Sequence, residues 1–215
     1  MINWSGMPVG PHEEPASAIG VTVSSWSGLL DDLDRRLQER EGFCVATLNL
    51  DHVVKIRRNP LFRDAYARHT HVTADGNPIV WLSRLAGHEV ELIPGSEQIR
   101  PVLKRAAARD TPVVFFGSTV STLQAAAERL CAEIEGLRIV DCIAPPEGFD
   151  PDSTAAEPYI QVLQQTGAGR VILALGAPKQ EVFAVRAAQA LPKVGFLSVG
   201  AGHDFIAGTQ RRAPR

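Results

Sequence analysis

The sequence contains no apolar run of the ~18 residues that a membrane-spanning helix requires. Its N-terminus has no basic segment followed by an apolar one, so it does not show the pattern of a secretory signal. The chain has no excess of basic residues either, because its formal net charge is −2 over 215 residues. These absences argue against a membrane-spanning protein, a secreted protein and bulk nucleic-acid binding.

Cysteine is scarce, and its three copies (Cys44, Cys131 and Cys142) are widely spaced. An odd number without metal or redox spacing predicts reduced thiols in the core of a cytoplasmic protein. Four histidines also lack metal spacing and are interpreted as structural or surface residues: His52, His69, His71 and His88.

Two phosphate-binding signatures are missing, the Walker A loop and the G-x-G-x-x-G fingerprint. The absence of the second argues against a dehydrogenase. There is no internal repeat and no low-complexity linker, and a length of 215 residues favours one domain. We expect a flexible lead-in at residues 1–17, where prolines and glycines stand without periodicity, and a single domain at residues 18–215.

The chain does contain a regular alternation of short apolar runs and segments with helical spacing. The predicted strands are residues 19–23, 43–47, 71–74, 112–116, 137–143, 171–175 and 194–199. Residues 90–93 are expected to be extended, and residues 200–204 to form a loop. Several of the strands are nearly all apolar, which is typical of a parallel sheet. The predicted fold class is therefore α/β, a Rossmann-like parallel sheet covered by helices on both faces.

The most distinctive stretch is residues 170–181. A buried-strand pattern breaks at Gly176, and a helix follows with Pro178 in its first turn. Backbone N–H groups and the positive end of the helix dipole converge at such a corner, so it can bind an anion such as phosphate. Lys179 adds a charge and Gln180 a neutral amide, although Gln180 is also compatible with a solvated first-turn residue.

Small and polar residues follow several other predicted strands. In open α/β sheets ligands bind beyond the carboxyl ends of the strands, so these residues predict a site for a phosphorylated, hydroxyl-rich ligand. They are Thr47 and Asn49; Asp75 and Gly76; Gly117, Ser118 and Thr119; and residues 200–204.

Asp75 is the best candidate for an acid–base group, because it directly follows a strand and precedes a glycine. The alternative is a carboxylate that only closes the strand in an Asx-turn. Thr47 and Asn49 lie two residues apart, so both point to one side of an extended segment and could bind a sugar or phosphate. The alternative for Asn49 is a helix cap.

The remaining candidates have strong structural alternatives. Gly117 and Ser118 could bind phosphate at a helix start, but an ordinary helix cap is the favoured interpretation. Asp204 could accept hydrogen bonds from a ribose or a uracil N–H, or could cap local N–H groups. His203 is favoured as structural, and Glu181 most simply complements the helix dipole.

These residues together resemble the bacterial WecG/TagA/CpsF family of glycosyltransferases. The T-x-N, A-D-G-x-P and G-x-P-K-Q-E elements carry the resemblance at matching order and spacing. The matching segments are residues 47–52, 74–78, 94–96, 176–181 and 199–208, followed by 212–214.

The resemblance implies an inverting transferase that needs no metal. It also implies no cofactor, because the UDP-sugar is a substrate. It implies that Asp75 is the base and that Thr47, Asn49 and Gln180 lie near the sugar and the diphosphate. It places Asp204 near uracil. The glycines 76, 117 and 176, with Ser118, Pro178 and Lys179, complete the predicted UDP-binding set.

The implied partners are a UDP-sugar donor, typically of the N-acetylmannosamine type, and a sugar linked to a polyprenyl diphosphate. The implied location is the cytoplasm, peripheral to the inner face of the plasma membrane, and a homo-oligomer is compatible with the pattern. Two features depart from the family. Leu92 occupies a position where the family usually has arginine, and the family's C-terminal arginines and tail extend beyond Arg215. A non-catalytic UDP-sugar-binding module is therefore the alternative.

Overall fold

The computed structural model describes residues 2–3 and 19–209. The strands are β1 (Ile2–Asn3), β2 (Ile19–Gly20), β3 (Phe43–Leu48), β4 (His71–Ala74), β5 (Val113–Gly117), β6 (Ile139–Ile143), β7 (Arg170–Ala174) and β8 (Gly195–Ser198). The helices are α1 (Trp26–Glu39), α2 (Leu50–Arg58), α3 (Pro60–Ala67), α4 (Asn77–Leu85), α5 (Gly95–Ala108), α6 (Val120–Glu133), α7 (Glu157–Thr166), α8 (Lys179–Ala190) and α9 (Gly202–Ala207). A 3-10 turn at Thr154–Ala156 precedes α7.

Six strands form one parallel sheet in the order β4-β3-β8-β7-β5-β6. The chain passes from β3 to β4 at one edge, crosses to β5 and β6 at the other, and returns through β7 to β8 in the middle. The carboxyl ends of β4, β3 and β8 therefore lie side by side. The prediction of an α/β fold with a parallel sheet is confirmed.

Alternate residues of each strand face opposite sides of the sheet. In β3, Phe43 and Val45 pack with α1, α5, α6 and α9, whereas Cys44 packs on the other side. On that second side Phe116 of β5 stacks on Phe183 of α8, with ring centroids 4.5 Å apart. Burying a side chain of this size contributes about 1.5–3 kcal/mol. Both faces of the sheet are therefore covered by apolar layers, as the sequence predicts.

The helices differ in how they begin. Side chains of Ser25, Asn49, Asn59 and Thr119 accept backbone N–H bonds and cap α1, α2, α3 and α6. By contrast, α4, α5, α7, α8 and α9 have no side-chain cap at their N-termini. Four of them, α4, α5, α8 and α9, begin at the carboxyl edge of the sheet near the ends of β4, β7 and β8, so their first-turn N–H groups face that edge without a side-chain acceptor.

Two extended segments are shorter than predicted. The strand expected at 19–23 is limited to Ile19–Gly20, which pairs with Ile2–Asn3. The segment expected at 90–93 forms only one bridge, between Leu92 and Ala74.

The prediction of a loop at residues 200–204 is wrong, because α9 begins at Gly202. A Cβ atom at Gly202 would lie 2.5 Å from Cδ1 of Ile99 on α5. The glycine thus allows α9 to pack closely against α5 and is not a helix breaker here.

The predicted flexible lead-in lies outside the described residues, apart from Ile2–Asn3, which form a strand. Arg211 and Arg212 also lie outside them. In the part of the chain that the structure describes, no helix has both the length and the apolar character to cross a membrane.

The contact between α9 and α5 gives a stability prediction. Gly202→Ala should lower the free energy of unfolding by about 1–3 kcal/mol, because its methyl group overlaps Ile99. Ile99→Val removes the overlapping Cδ1 and alone should cost about 0.5–1.5 kcal/mol. In urea unfolding, the double variant should therefore be more stable than the sum of the single effects indicates. Strict additivity would show that the overlap is not the cause.

Candidate active site

A cavity of about 500 Å³ opens beyond the carboxyl ends of β4, β3 and β8. Leu92, Val199 and Phe205 form much of its apolar wall. Its polar wall contains hydroxyl, amide, imidazole and carboxylate side chains. They belong to Thr47, Asn49, His52, Asp75, Asn77, Ser96, Glu97 and Gln180. The four side chains predicted as catalytic therefore share one cavity, together with the predicted Gly76.

Asp75 follows β4 directly and is half-buried. Its backbone N–H donates to the carbonyl of Leu48, 2.8 Å away, which ties the end of β4 to the end of β3. Gly76 then adopts a positive φ of 97°, which favours glycine, and α4 begins at the next residue. This turn holds the Asp75 carboxyl group at the cavity, where it can reach a bound ligand.

Thr47 and Asn49 line the cavity from the end of β3, as their spacing predicts. The Asn49 carboxamide oxygen also accepts the N–H of His52, 2.9 Å away, so Asn49 caps α2 as well. The backbone carbonyl of Thr47 accepts bonds from His52 Nδ1 at 2.7 Å and from the Tyr66 hydroxyl. The buried donors His52 and Tyr66 therefore fix the backbone at the end of β3, which carries both predicted residues.

His52 and Tyr66 form the buried layer below the cavity. Burial lowers the pKa of His52, so its neutral ring donates from Nδ1 to Thr47. Burial, with the negative charges of Glu181 and Asp75, raises the pKa of Tyr66. The neutral Tyr66 hydroxyl therefore remains a donor to Thr47. The sequence interpretation of His52 as structural is consistent with this layer but does not anticipate its place in the cavity wall.

Gln180 is 2% exposed, so the alternative of a solvated first-turn residue is wrong. Its Oε1 accepts the backbone N–H of Gly200 at 3.1 Å, and its Nε2 donates to Oε1 of Glu181 at 2.8 Å. Glu181 is fully buried, and this burial raises the pKa of its carboxyl group to about 7. Because Gly200 also lines the cavity, these bonds connect α8 with the cavity wall.

The other predicted UDP-binding residues do not line this cavity. Gly117 and Ser118 follow β5, with positive φ angles of 103° and 55°. The Ser118 hydroxyl donates to Oδ1 of Asp204, 3.2 Å away. The remaining three belong to the turn into α8: Gly176, Pro178 and Lys179. The Gly176 carbonyl accepts the N–H of Gln180 at 3.1 Å, which uses one first-turn donor of α8.

The sequence analysis missed Glu97, a second carboxylate in the cavity wall. It lies in the first turn of α5, which begins at Gly95 after Pro94. The resemblance could have indicated Glu97, because this residue directly follows residues 94–96, which are one of the matching segments. No lysine or arginine lines the cavity among the described residues, and Leu92, at which the resemblance predicts an arginine, is part of the wall.

His203 faces the core and not the cavity. It is completely buried on α9, with its ring centroid 4.4 Å from that of Phe115. Neither ring nitrogen has a hydrogen-bond partner among the described residues. Burial lowers the pKa of His203 to about 3, so the ring is neutral. This placement agrees with the structural interpretation of His203.

The fold and cavity define a Rossmann-like α/β protein with a ligand site at the carboxyl edge of its sheet. The model of the glycosyl transferase WecG/TagA/CpsF family matches residues 16–215, so the chain belongs to this family. The chain is 23% identical over 179 residues to the N-acetylglucosaminyldiphosphoundecaprenol N-acetyl-beta-D-mannosaminyltransferase of Bacillus spizizenii. That alignment covers 83% of this chain and 67% of the relative. The resemblance seen in the sequence is confirmed at the level of the family.

The buried His203 gives a pH-dependent prediction. His203→Phe should stabilise the fold by about 1–3 kcal/mol at pH 7.5, because it removes a buried polar group without partners. The unfolded chain takes up a proton below the ordinary histidine pKa of 6.5, whereas the folded chain does not until about 3. The wild type therefore loses stability on acidification through this group, and the variant does not.

The difference in unfolding free energy between variant and wild type should thus grow by about 1.4 kcal/mol from pH 7.5 to pH 5.5. Urea unfolding at the two pH values measures it. A difference that does not change with pH would contradict the neutral, buried state of His203.

Proposed function

We propose that this protein transfers a sugar of the N-acetylmannosamine type from a UDP donor to a sugar linked to a lipid diphosphate. The proposal rests on membership of the glycosyltransferase family and on the activity for which the Bacillus relative is named. The observation that carries it is the cavity in which Asp75 stands beside Thr47, Asn49 and Gln180. This set combines one base with neutral hydrogen-bonding groups, which suits a hydroxyl-rich substrate.

The proposed reaction is a single displacement. Asp75 takes the proton from the acceptor hydroxyl, whose oxygen attacks the anomeric carbon of the donor sugar. The bond between that carbon and UDP breaks, and UDP leaves from the opposite face. The configuration of the anomeric carbon is therefore inverted. The proton ends on the Asp75 carboxylate, and the new glycosidic bond joins donor sugar and acceptor.

The leaving diphosphate needs stabilisation, and in this proposal no metal supplies it. The uncapped N-termini of α4, α5, α8 and α9 begin at the same edge as the cavity. Their dipoles favour an anion there, and the amides of Asn49, Asn77 and Gln180 add neutral donors. The predicted roles of Lys179, Asp204 and Ser118 place UDP across the neighbouring ends of β7 and β5.

The proposal includes the setting of the reaction. A lipid-linked acceptor requires that the protein work at the inner face of the plasma membrane, within cell-surface polysaccharide synthesis. We propose peripheral association with that face, through residues beyond those that the structure describes. A homo-oligomer is compatible with the proposal.

A second function, binding of a UDP-sugar without transfer, is favoured by one observation. Leu92 lines the cavity, and the cavity-lining residues within 19–209 include no lysine or arginine. A diphosphate in this cavity would therefore meet only neutral donors and helix N-termini, and charge-assisted bonds to it would be absent.

The base assignment predicts the behaviour of Asp75→Asn. This variant should lose transfer by about 10²–10⁴-fold, because the acceptor hydroxyl keeps its proton. UDP binding measured by calorimetry should stay within about threefold, since the base acts on the acceptor (a change of ~0.6 kcal/mol or less). The control is Asp64→Asn, an exposed carboxylate of α3. Full turnover by Asp75→Asn would remove Asp75 from the mechanism, and UDP binding without transfer by the wild type would favour the binding module.

The missing cation predicts that Leu92→Arg strengthens UDP binding. A guanidinium at this cavity wall can form charge-assisted bonds to the diphosphate, worth about tenfold in affinity. Leu92→Met is the matched control, because it changes shape but not charge. Uridine, which has no phosphate, should bind Leu92→Arg and wild type equally. Equal UDP affinity of the two proteins would mean that the diphosphate does not lie near Leu92.

A further inference from the structure

The orientation of the Gln180 side chain is set by its two partners. The backbone N–H of Gly200 can only donate, so the atom that faces it at 3.1 Å must be the carbonyl oxygen Oε1. The amide nitrogen Nε2 then faces Oε1 of Glu181 at 2.8 Å, which accepts the bond. The Glu181 carboxyl group thereby accepts from the other end of the amide and favours the same orientation as the Gly200 N–H.

Glu181 is an unusual residue to place in the core. Its side chain is fully buried in the first turn of α8, and its second oxygen, Oε2, has no partner among the described residues. A buried carboxyl group is costly unless it is hydrogen-bonded, and an apolar residue of similar size would fill the space at lower cost. Filling the core therefore does not explain a carboxyl group at this position, whereas the bond to Gln180 and the place in the first turn of α8, where an acidic group complements the helix dipole as the sequence predicts, both do.

Gly200 is held by the bond from its N–H to Gln180, beside two backbone bonds at its neighbours, from Val199 N–H to the carbonyl of Leu173 at 2.9 Å and from Gly202 N–H to the carbonyl of Val199 at 3.1 Å. It has a positive φ of 56°, and a Cβ atom built on it would have no neighbour within 4 Å. No neighbouring atom therefore packs against Gly200 on the side where a Cβ atom would stand. Gly200 and Ala201 nevertheless form part of the cavity wall between β8 and α9. The hydrogen bond from Gly200 to Gln180 is the contact that connects this wall to the rigid helix α8.

We infer that Glu181 is a positioning residue, which acts through Gln180 to hold the Gly200 wall of the cavity in place for the sugar nucleotide. This inference rests on the proposed function and adds to it a residue that does not touch the substrate. The relay runs from the Glu181 carboxyl group to the Gln180 amide and then to the Gly200 N–H. It also leaves the second N–H of Gln180 Nε2 for a ligand, because Gln180 lines the cavity.

Charged and titratable groups surround the relay from several elements. The positive charge of Lys55 on α2 favours the charged form of Glu181. The negative charges of Glu181 and Asp75 contribute to the raised pKa of Tyr66 on α3. Lys55 itself is held by Asp51 at 2.6 Å and by the carbonyl of Ala177 at 3.5 Å. The relay needs only an acceptor oxygen at position 181, which both the carboxylate and the neutral acid supply.

The test compares Glu181→Gln with Glu181→Met. Glutamine keeps an oxygen that accepts from Gln180 and removes the charge, whereas methionine keeps length and volume but has no comparable acceptor. Exchange of the Gly200 amide proton, followed by NMR, reports the relay directly and needs no substrate. We expect exchange at Gly200 to be about tenfold faster in Glu181→Met, and within about threefold of wild type in Glu181→Gln.

Transfer assays supply the functional readout. In Glu181→Met, kcat/KM for the UDP-sugar should fall by at least about tenfold at a temperature where the protein is fully folded, and Glu181→Gln should restore it. A residue with only a structural role would change the thermal midpoint and leave the kcat/KM of the folded protein unchanged. Wild-type protection of Gly200 in Glu181→Met, or equal losses in both variants, would overturn the inference.

Two further measurements keep the outcomes separate. Should Glu181→Met not fold, Gln180→Met breaks the bond to Gly200 directly, and it should expose the same amide proton to exchange. The absence of both transfer and UDP binding in the wild type would refute the proposed function. The relay would then be judged on Gly200 exchange alone, and unchanged exchange in the variants would refute it as well.

Discussion

The parallel arrangement of the strands is the constraint on which the site depends. Because all six strands of the sheet run in one direction, their carboxyl ends meet at one edge. The helices that follow them must begin at the same edge, so their N–H groups and dipoles face it too. The strand order then selects the position of the cavity, since it brings β8 between β3 and β7.

The electrostatics of the cavity follow from this geometry. Asp75 and Glu97 give it two carboxyl groups, and the described lining includes no lysine or arginine. The uncapped starts of α4, α5, α8 and α9 direct the positive ends of their dipoles to this edge, and acidic side chains stand in the first turns of three of them, at Glu97, Glu181 and Asp204. In the proposed reaction, backbone donors of this kind would bind the leaving diphosphate without forming an ion pair with Asp75, so the Asp75 carboxylate would remain available for the acceptor hydroxyl.

A buried polar layer supports the cavity from below. His52 and Tyr66 both donate to the carbonyl of Thr47, and Glu181 orients Gln180. These groups are costly to bury, and each forms a hydrogen bond to a residue of the cavity wall. His203 is the contrasting case, because its nitrogens have no partner in the described part of the chain and no cavity residue depends on them.

The sequence by itself determined the α/β class, most strand positions and the motif residues Thr47, Asn49 and Asp75, because these depend on local periodicity and turn chemistry. Only the tertiary structure decided that residues after Gly200 form a helix, that Gln180 is buried and that Glu97 joins the cavity. It also separated the Ser118–Asp204 pair from the cavity lining. The physical reason is that burial and contact depend on strand order and helix packing, which connect residues far apart in the chain and leave no periodic trace in it.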